Sequence, residues 1–177
     1  MHRLFVAIRP PAQIRDRLID LMEGVEGARW QDEDQLHLTL RFIGEVDRHG
    51  VADIEGALGA IRHPPFRIAL NGLGTFGRRG KASSLWAGLT PHDQLKSLHK
   101  KVDQALQRVG LEPEHRAYLP HITIARLGRL SGPVQELLNS AAGLASDPFP
   151  VDRFRLYESI LSPAGAHYMI VQDYPLG

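Results

Sequence analysis

Hydrophobic positions along the chain change period several times, and each change predicts an element. The run RLFVAI at 3–8 is apolar and β-branched and predicts a short strand. Pro10-Pro11 opens a helix, where proline is tolerated in the first turn. Ile14, Leu18 and Leu21 carry its helical spacing to about Gly24. ARW at 28–30 predicts a brief edge strand and QDEDQ at 31–35 a polar loop. From Leu36 the pattern alternates with period two, predicting a strand to Val46. Val51, Ile54, Leu58 and Ile61 then line one face of a helix over 47–61, stopped by HPP at 63–65. Phe66–Phe76 and Ser83–Leu89 flank GRRGK as a hairpin. A helix from Pro91 to Val109 buries Leu95, Leu98, Val102 and Leu106 and stops at Gly110. HRAYLP at 115–120 leads as a loop into a strand at His121–Arg126. A short helix at 135–144 follows. Phe149–Ile160 and Tyr168–Tyr174 form a closing strand pair around SPAGA. Helices mixed with antiparallel strands in this order predict an α+β fold.

Within that pattern, one motif is written twice. HLTLRF begins at His37 and HITIAR at His121. Alternation puts His37, Thr39 and Arg41 on one strand face and Leu36, Leu38 and Leu40 on the other. The second copy puts His121 and Thr123 opposite Ile122 and Ile124. Residues i and i+2 lie about 6.6 Å apart along a strand, so a histidine and a threonine can grip neighbouring atoms of one small anion. Imidazole is the acid–base group nearest neutrality. Two imidazoles on opposite sides of a phosphorus atom permit in-line displacement, one taking a proton while the other gives one. Hydroxyls can hold the non-bridging oxygens, and a cation is needed beside them, with Arg126 and Arg41 nearest in sequence. Strict alternation turns Arg126 away from His121, so the strand must bend or bulge after Thr123, or the guanidinium must reach around its end. A lone HxT strand is more often a half-buried histidine beside a strand-favouring threonine; two copies reverse that preference. A two-histidine metal site is the other chemical reading. It lacks HExxH, HxH and any acidic residue on either histidine's strand face.

Composition narrows the classes. The chain has 177 residues, no cysteine and a formal net charge of +1. Its length suits one domain, over 1–177, with a core that needs no staples. The absence of cysteine removes disulfides, thiol nucleophiles and cysteine-held metals. The charge balance excludes a bulk electrostatic coat for nucleic acid, so any such contact must be local. The first apolar run is too short for a signal segment and no stretch is long enough to span a membrane, which gives a cytoplasmic expectation.

The paired HxTx strands resemble the signature of the 2H phosphoesterases. The likeness extends to their bacterial RNA 2′,3′-cyclic phosphodiesterases, also called 2′-5′ RNA ligases, or LigT-like proteins. RLFVAI, LHLTLRFIGEV at 36–46, GTFGRRGKASSLWAGL at 74–89, YLPHITIARL at 118–127 and LYESILSPAGAHY at 156–168 carry it in order. The resemblance implies two pseudo-symmetric lobes of antiparallel sheet, outer helices and a central cleft, with one motif from each lobe. It implies His37 and His121 as the catalytic pair, Thr39, Thr123 and Arg126 as phosphate ligands, and Phe42, at the place corresponding to Arg126, as a base-stacking ring. The implied reaction is hydrolysis of an RNA terminal 2′,3′-cyclic phosphate to a 2′-phosphomonoester without metal, ATP or other cofactor. His121 is the base and His37 the acid, and reversible 2′-5′ ligation is a side activity. The residue pattern alone is nearly symmetric and leaves the acid and base unassigned. RNA with cyclic phosphate ends, tRNA fragments among them, or small cyclic nucleotides are the expected partners, and a monomer suits the cleft.

Further candidates are peripheral. Arg78, Arg79 and Lys81 at the hairpin tip can meet RNA phosphates or simply be a solvated turn. Phe5 can line the cleft or the core, as can Trp30. Trp86 is expected in the core. Arg116 and Tyr118 precede the second motif and can border the substrate. The remaining seven histidines are expected at the surface or at caps. Two rival functions stand beside the RNA enzyme: a related enzyme for a small cyclic nucleotide or an ADP-ribose cyclic phosphate, and an RNA-binding module of the same fold without chemistry.

Overall fold

A computed structural model describes residues 1–177. Nine strands and four helices alternate along it. They are β1 (His2–Ile8), α1 (Ala12–Ile19), β2 (Arg29–Trp30), β3 (Leu38–Val46), α2 (Arg48–Gly59), β4 (Phe66–Arg78), β5 (Lys81–Thr90), α3 (Asp93–Arg108), β6 (His121–Arg126), α4 (Gln135–Ser140), β7 (Phe149–Val151), β8 (Arg153–Ser162) and β9 (Gly165–Pro175). All pairings are antiparallel, in the order β7-β4-β5-β6-β3-β1-β8-β9, with β2 added to β6. The middle of this order is its weakest join, a single pairing of Leu38 with Ile122. It divides two four-strand lobes, β9-β8-β1-β3 and β6-β5-β4-β7, of like construction. In each, a strand, a helix and an HxT strand follow in sequence: β1-α1-β3 and β5-α3-β6.

The helices cover one face of the sheet because their apolar stripes have the expected spacing. Leu95, Leu98, Val102 and Leu106 of α3 are fully buried, as are Ile54 and Leu58 of α2. Asp47 caps α2, its carboxylate accepting from the Gly50 N–H at 2.8 Å. On the strands, Leu4, Val6, Ile8, Leu38, Leu40, Ile122, Ile124, Phe154 and Leu156 join the same core. The opposite face of each lobe, left free of helices, lines the cleft.

Three expected elements differ. α1 ends at Ile19 rather than near Gly24, and α4 at Ser140 rather than 144. The expected strand over 149–160 is two strands, because the chain changes lobes at Asp152. β7 pairs with β4 on one side and β8 with β1 on the other. The GRRGK loop tightens to a two-residue turn, with Arg79 and Gly80 at φ 53° and 74°, the positive-φ pair that matches the twist of a hairpin.

Candidate active site

The Leu38–Ile122 pairing sets the site. Continuing that antiparallel register puts His37 across from Thr123 and Thr39 across from His121. Each histidine therefore faces the other copy's threonine, with Leu38 and Ile122 turned into the core beneath them.

A bulge in each motif strand decides what comes next. On β6, Thr123 pairs with Trp86 and Ala125 with Leu85, leaving Ile124 as the extra residue. Ile124 and Ala125 are both buried. Arg126 then pairs with Ser84, which shares a face with Trp86, so the guanidinium rejoins the face of His121 and Thr123. Its charge acts on His121 and, across the cleft, on Tyr168. On β3, Thr39 pairs with Ala7 and Arg41 with Val6, leaving Leu40 extra. Phe42 pairs with Phe5 and takes the place on this lobe that Arg126 takes on the other. It is 60% exposed.

The same bulge corrects the expectation for Arg41. It shares the core side with Val6 rather than the cleft side with His37. Its Nε donates to Asp103 on α3 at 2.8 Å, and its other nitrogens donate to the carbonyls of Phe42 and Glu112. Tyr118 is also turned from the cleft. Its hydroxyl donates to the Thr39 carbonyl at 3.0 Å and its ring stacks on His99 at 4.1 Å. It braces the back of β3. Arg116 is exposed beside Glu114. Arg78 and Arg79 stand exposed at the hairpin tip, whereas Lys81 donates to the Arg129 carbonyl. Trp30 packs partly against the core.

Aromatic side chains frame both histidines, and most were not anticipated. His37 sits edge-on to Tyr157 at 4.6 Å, Tyr168 at 5.4 Å and Phe5 at 6.1 Å. His121 meets Phe76 edge-on at 4.9 Å and Trp86 at 5.8 Å. Trp86 therefore belongs to the cleft, not the core, lying flat over Gly74, where a Cβ would stand 2.4 Å from its ring. Its Nε1 is buried without a partner. Tyr157 and Tyr168 had a signal: each falls on the alternating face opposite Leu156 and Met169, within the closing hairpin. Two other histidines leave the surface role expected of them: His63 is buried against Ser97 and the Pro64 carbonyl, and His99 donates to the Leu40 carbonyl. His2 stays at the surface, 42% exposed and paired with Glu158 at 2.8 Å.

The two imidazoles differ in state. The Nδ1 of His121 donates to the Leu119 carbonyl at 2.7 Å, which fixes the tautomer and leaves the Nε2 lone pair toward the cleft. Burial, and then the Arg126 charge, lower its pKa, against the Leu119 bond. His37 is only 7% exposed and neither ring nitrogen has a well-formed hydrogen bond. Burial pushes its pKa down to about 4, opposed by the nearby Gln35 carbonyl and aided by Arg9 and Arg155. Both rings are neutral at pH 7. An anion between them would favour their protonated forms.

Comparison with known proteins agrees with this architecture. The family model described as LigT like Phosphoesterase matches the chain twice, over residues 8–86 and 88–168, with one HxT copy in each match. The chain belongs to the LigT-like 2H phosphoesterases. Among its relatives, an RNA 2′,3′-cyclic phosphodiesterase of Archaeoglobus fulgidus is 30% identical over 94% of this chain and 96% of that protein. One from Aeropyrum pernix is 34% identical over 92% of each. Among solved structures, E. coli LigT complexed with 3′-AMP superposes with a TM-score of 0.79 at 28% identity, covering 99% of this chain and 98% of that one. A Thermus thermophilus protein reaches 0.82 at 26% identity, covering 98% and 97%. The protein is thus a phosphoesterase of the two-histidine class, built as two lobes around one cleft.

Proposed function

We propose that this 2H phosphoesterase hydrolyses the 2′,3′-cyclic phosphate at an RNA end to a 2′-phosphomonoester. The observation that carries the reading is the cross-strand register, with each histidine opposite the other motif's threonine across one central pairing. His121 Nε2 accepts the proton of an attacking water, since its Nδ1 hydrogen is committed to Leu119. The water oxygen bonds to phosphorus, the P–O3′ bond breaks, and protonated His37 gives its proton to the departing 3′ oxygen. Thr39 and Thr123 donate to the non-bridging oxygens. Arg126, returned to their face by the bulge, offsets the charge that develops there. Phe42, over Phe5, offers an exposed ring for the terminal base. A 5′-hydroxyl in place of water would make a 2′-5′ linkage by the same path. The relatives named as RNA 2′,3′-cyclic phosphodiesterases, aligned over nearly the full chain, support the substrate class.

The test is a short RNA with a 2′,3′-cyclic phosphate, incubated in excess EDTA with the wild type and with His37→Ala and His121→Ala. Wild type should open the ring to the 2′-phosphate, and each variant should lose about 10²–10⁴-fold in rate. Wild-type rates in both variants would remove the assignment. Opening of small cyclic nucleotides but not of RNA would move the substrate to that class.

A further inference from the structure

The cleft face does not end at His37. On β1, Phe5 and Ala7 share it and Arg9 follows them past the strand end; on β8, Tyr157 shares it with Arg155 and Arg153, while Phe154 and Leu156 face the core. Where this strip meets α1 and the crossover at Asp152 there is a cavity of about 370 Å³. Four arginines line it, Arg9, Arg15, Arg153 and Arg155, with Asp152 as the one carboxylate in its wall. The other acids that hold these arginines stand outside the wall. Asp34 and Glu33, beside Arg9 and Arg15, are 84% and 53% exposed, against 20% and 16% for the arginine side chains. Arg155 is 20% exposed and is held by Asp173 at 2.6 Å, itself 42% exposed. Carboxylates at the rim thus orient guanidinium groups that line the cavity.

Arg15 is held by Pro10 and Glu33, Arg153 by Asp152 and Arg155 by Asp173, but Arg9 has no such close partner. Arg9 reaches only two carbonyls, both at 3.4 Å, and a carboxylate at 3.6 Å. Burial and then the Arg15 charge hold its guanidinium below its ordinary range, against the nearby Tyr157, Asp34 and Glu33, so Arg9 and Arg15 repel each other. Like charges gathered around a cavity are relieved by an anion. The pseudo-symmetric position on the other lobe is Gly88, where a Cβ would stand 2.5 Å from the Asn71 carbonyl. The cationic wall therefore exists on one side of the cleft only. Arg155 lies two residues from Tyr157, about 6.6 Å along the strand, and Tyr157 touches His37.

We propose that this arginine-lined cavity is a second phosphate subsite, which takes a backbone phosphodiester of the RNA strand upstream of the cyclic end. It rests on the substrate reading above and deepens it. One reacting phosphate sits between the histidines, an upstream phosphate sits among the arginines, and the one-sided placement fixes the direction in which the strand leaves the cleft.

The test compares a tetranucleotide ending in a 2′,3′-cyclic phosphate with a nucleoside 2′,3′-cyclic phosphate, which has no upstream phosphate. Arg9→Gln and Arg155→Gln should each lower kcat/KM for the tetranucleotide about tenfold, as expected for a lost charge-assisted bond. Both arginines also act on His37, and that effect falls on the two substrates alike, so the mononucleotide gauges it and the ratio of the two isolates the subsite. Arg9→Lys, which keeps the charge, should retain most of the preference. An equal loss on both substrates, or an unchanged ratio, would overturn the subsite. Fluorescence anisotropy with a labelled tetranucleotide carrying a 3′-phosphate reads the pocket without turnover. If wild type opens neither substrate, yet Arg9→Gln still weakens that binding, the hydrolytic reading fails and the subsite stands. Undiminished binding in both glutamine variants would overturn the subsite alone.

Discussion

His37 is held in the cleft wall at the cost of its own solvation. It is enclosed by rings, and neither nitrogen has a good partner. Its folded pKa of about 4 lies below the unfolded value near 6.5. As pH falls, the unfolded chain takes up this proton first, so the contribution of neutral His37 is complete above about pH 6.5. It is lost progressively between there and pH 4, by about 3 kcal/mol in all at roughly 1.4 kcal/mol per unit. Denaturant melts at pH 7 and pH 4.5 should show this slope in the wild type and a shallower one in His37→Phe. Activity follows from the same depressions. In the proposed mechanism turnover needs one proton on the histidine pair, so kcat/KM, which reports the free enzyme, should be bell-shaped with its maximum on the acid side of pH 6.5. A substrate phosphate bound as proposed would raise both imidazoles, so the kcat optimum should lie at higher pH. Arg126→Met should move the limb contributed by His121 upward, because that charge helps to lower it. A pH–rate profile of the three quantities checks the set. At this scale the histidines and threonines were legible from spacing alone. Arg41 was not, because one extra residue in a strand moves every later side chain to the other face. The break was written in HITIAR as adjacent Ile124 and Ala125, both apolar. In HLTLRF the equivalent neighbour is Arg41 itself, which hides it.

Strands and their irregularities set the reach of each side chain toward the cleft. Gly74 shows how closely this is drawn. Trp86 lies over it on the neighbouring strand, and a Cβ there would stand 2.4 Å from the ring. Gly74→Ala should force the indole toward His121, costing about 1–3 kcal/mol of stability by overpacking. A shifted tryptophan emission and a lowered melting midpoint would show the displacement, and unchanged values would mean the ring is not held there. The helices and their stripes were readable because 3.6-residue periodicity is local. The division of 149–160 into β7 and β8 was not, since it depends on which distant strand each half meets. Phe76, Tyr157 and Tyr168 escaped for a related reason. Their place beside a histidine is a property of sheet order, not of their own neighbours in sequence.

Across the whole molecule, the fold class was recoverable because paired motifs and alternating elements leave few antiparallel arrangements. The way in which the two halves of the chain share their strands was not. β4, from the first half, lies beside β5 in the lobe of His121, and β8, from the second, lies beside β1 in the lobe of His37. Phe76 thus reaches His121 from the first half, and Tyr157 reaches His37 from the second.

That exchange makes the chain resistant to being taken apart by a single cut. Trypsin has an exposed target in the tight turn at Arg78 and Arg79. Cleavage there yields a piece holding β1, β2, β3 and β4 and another holding β5, β6, β7, β8 and β9. Those pieces remain interlocked through five strand pairings, β1 with β8, β2 with β6, β3 with β6, β4 with β5 and β4 with β7. The nicked protein should run as two bands in denaturing gel electrophoresis, yet leave a sizing column as one species at the position of the intact chain. Separation of the fragments without denaturant would show that the interleaving does not hold them.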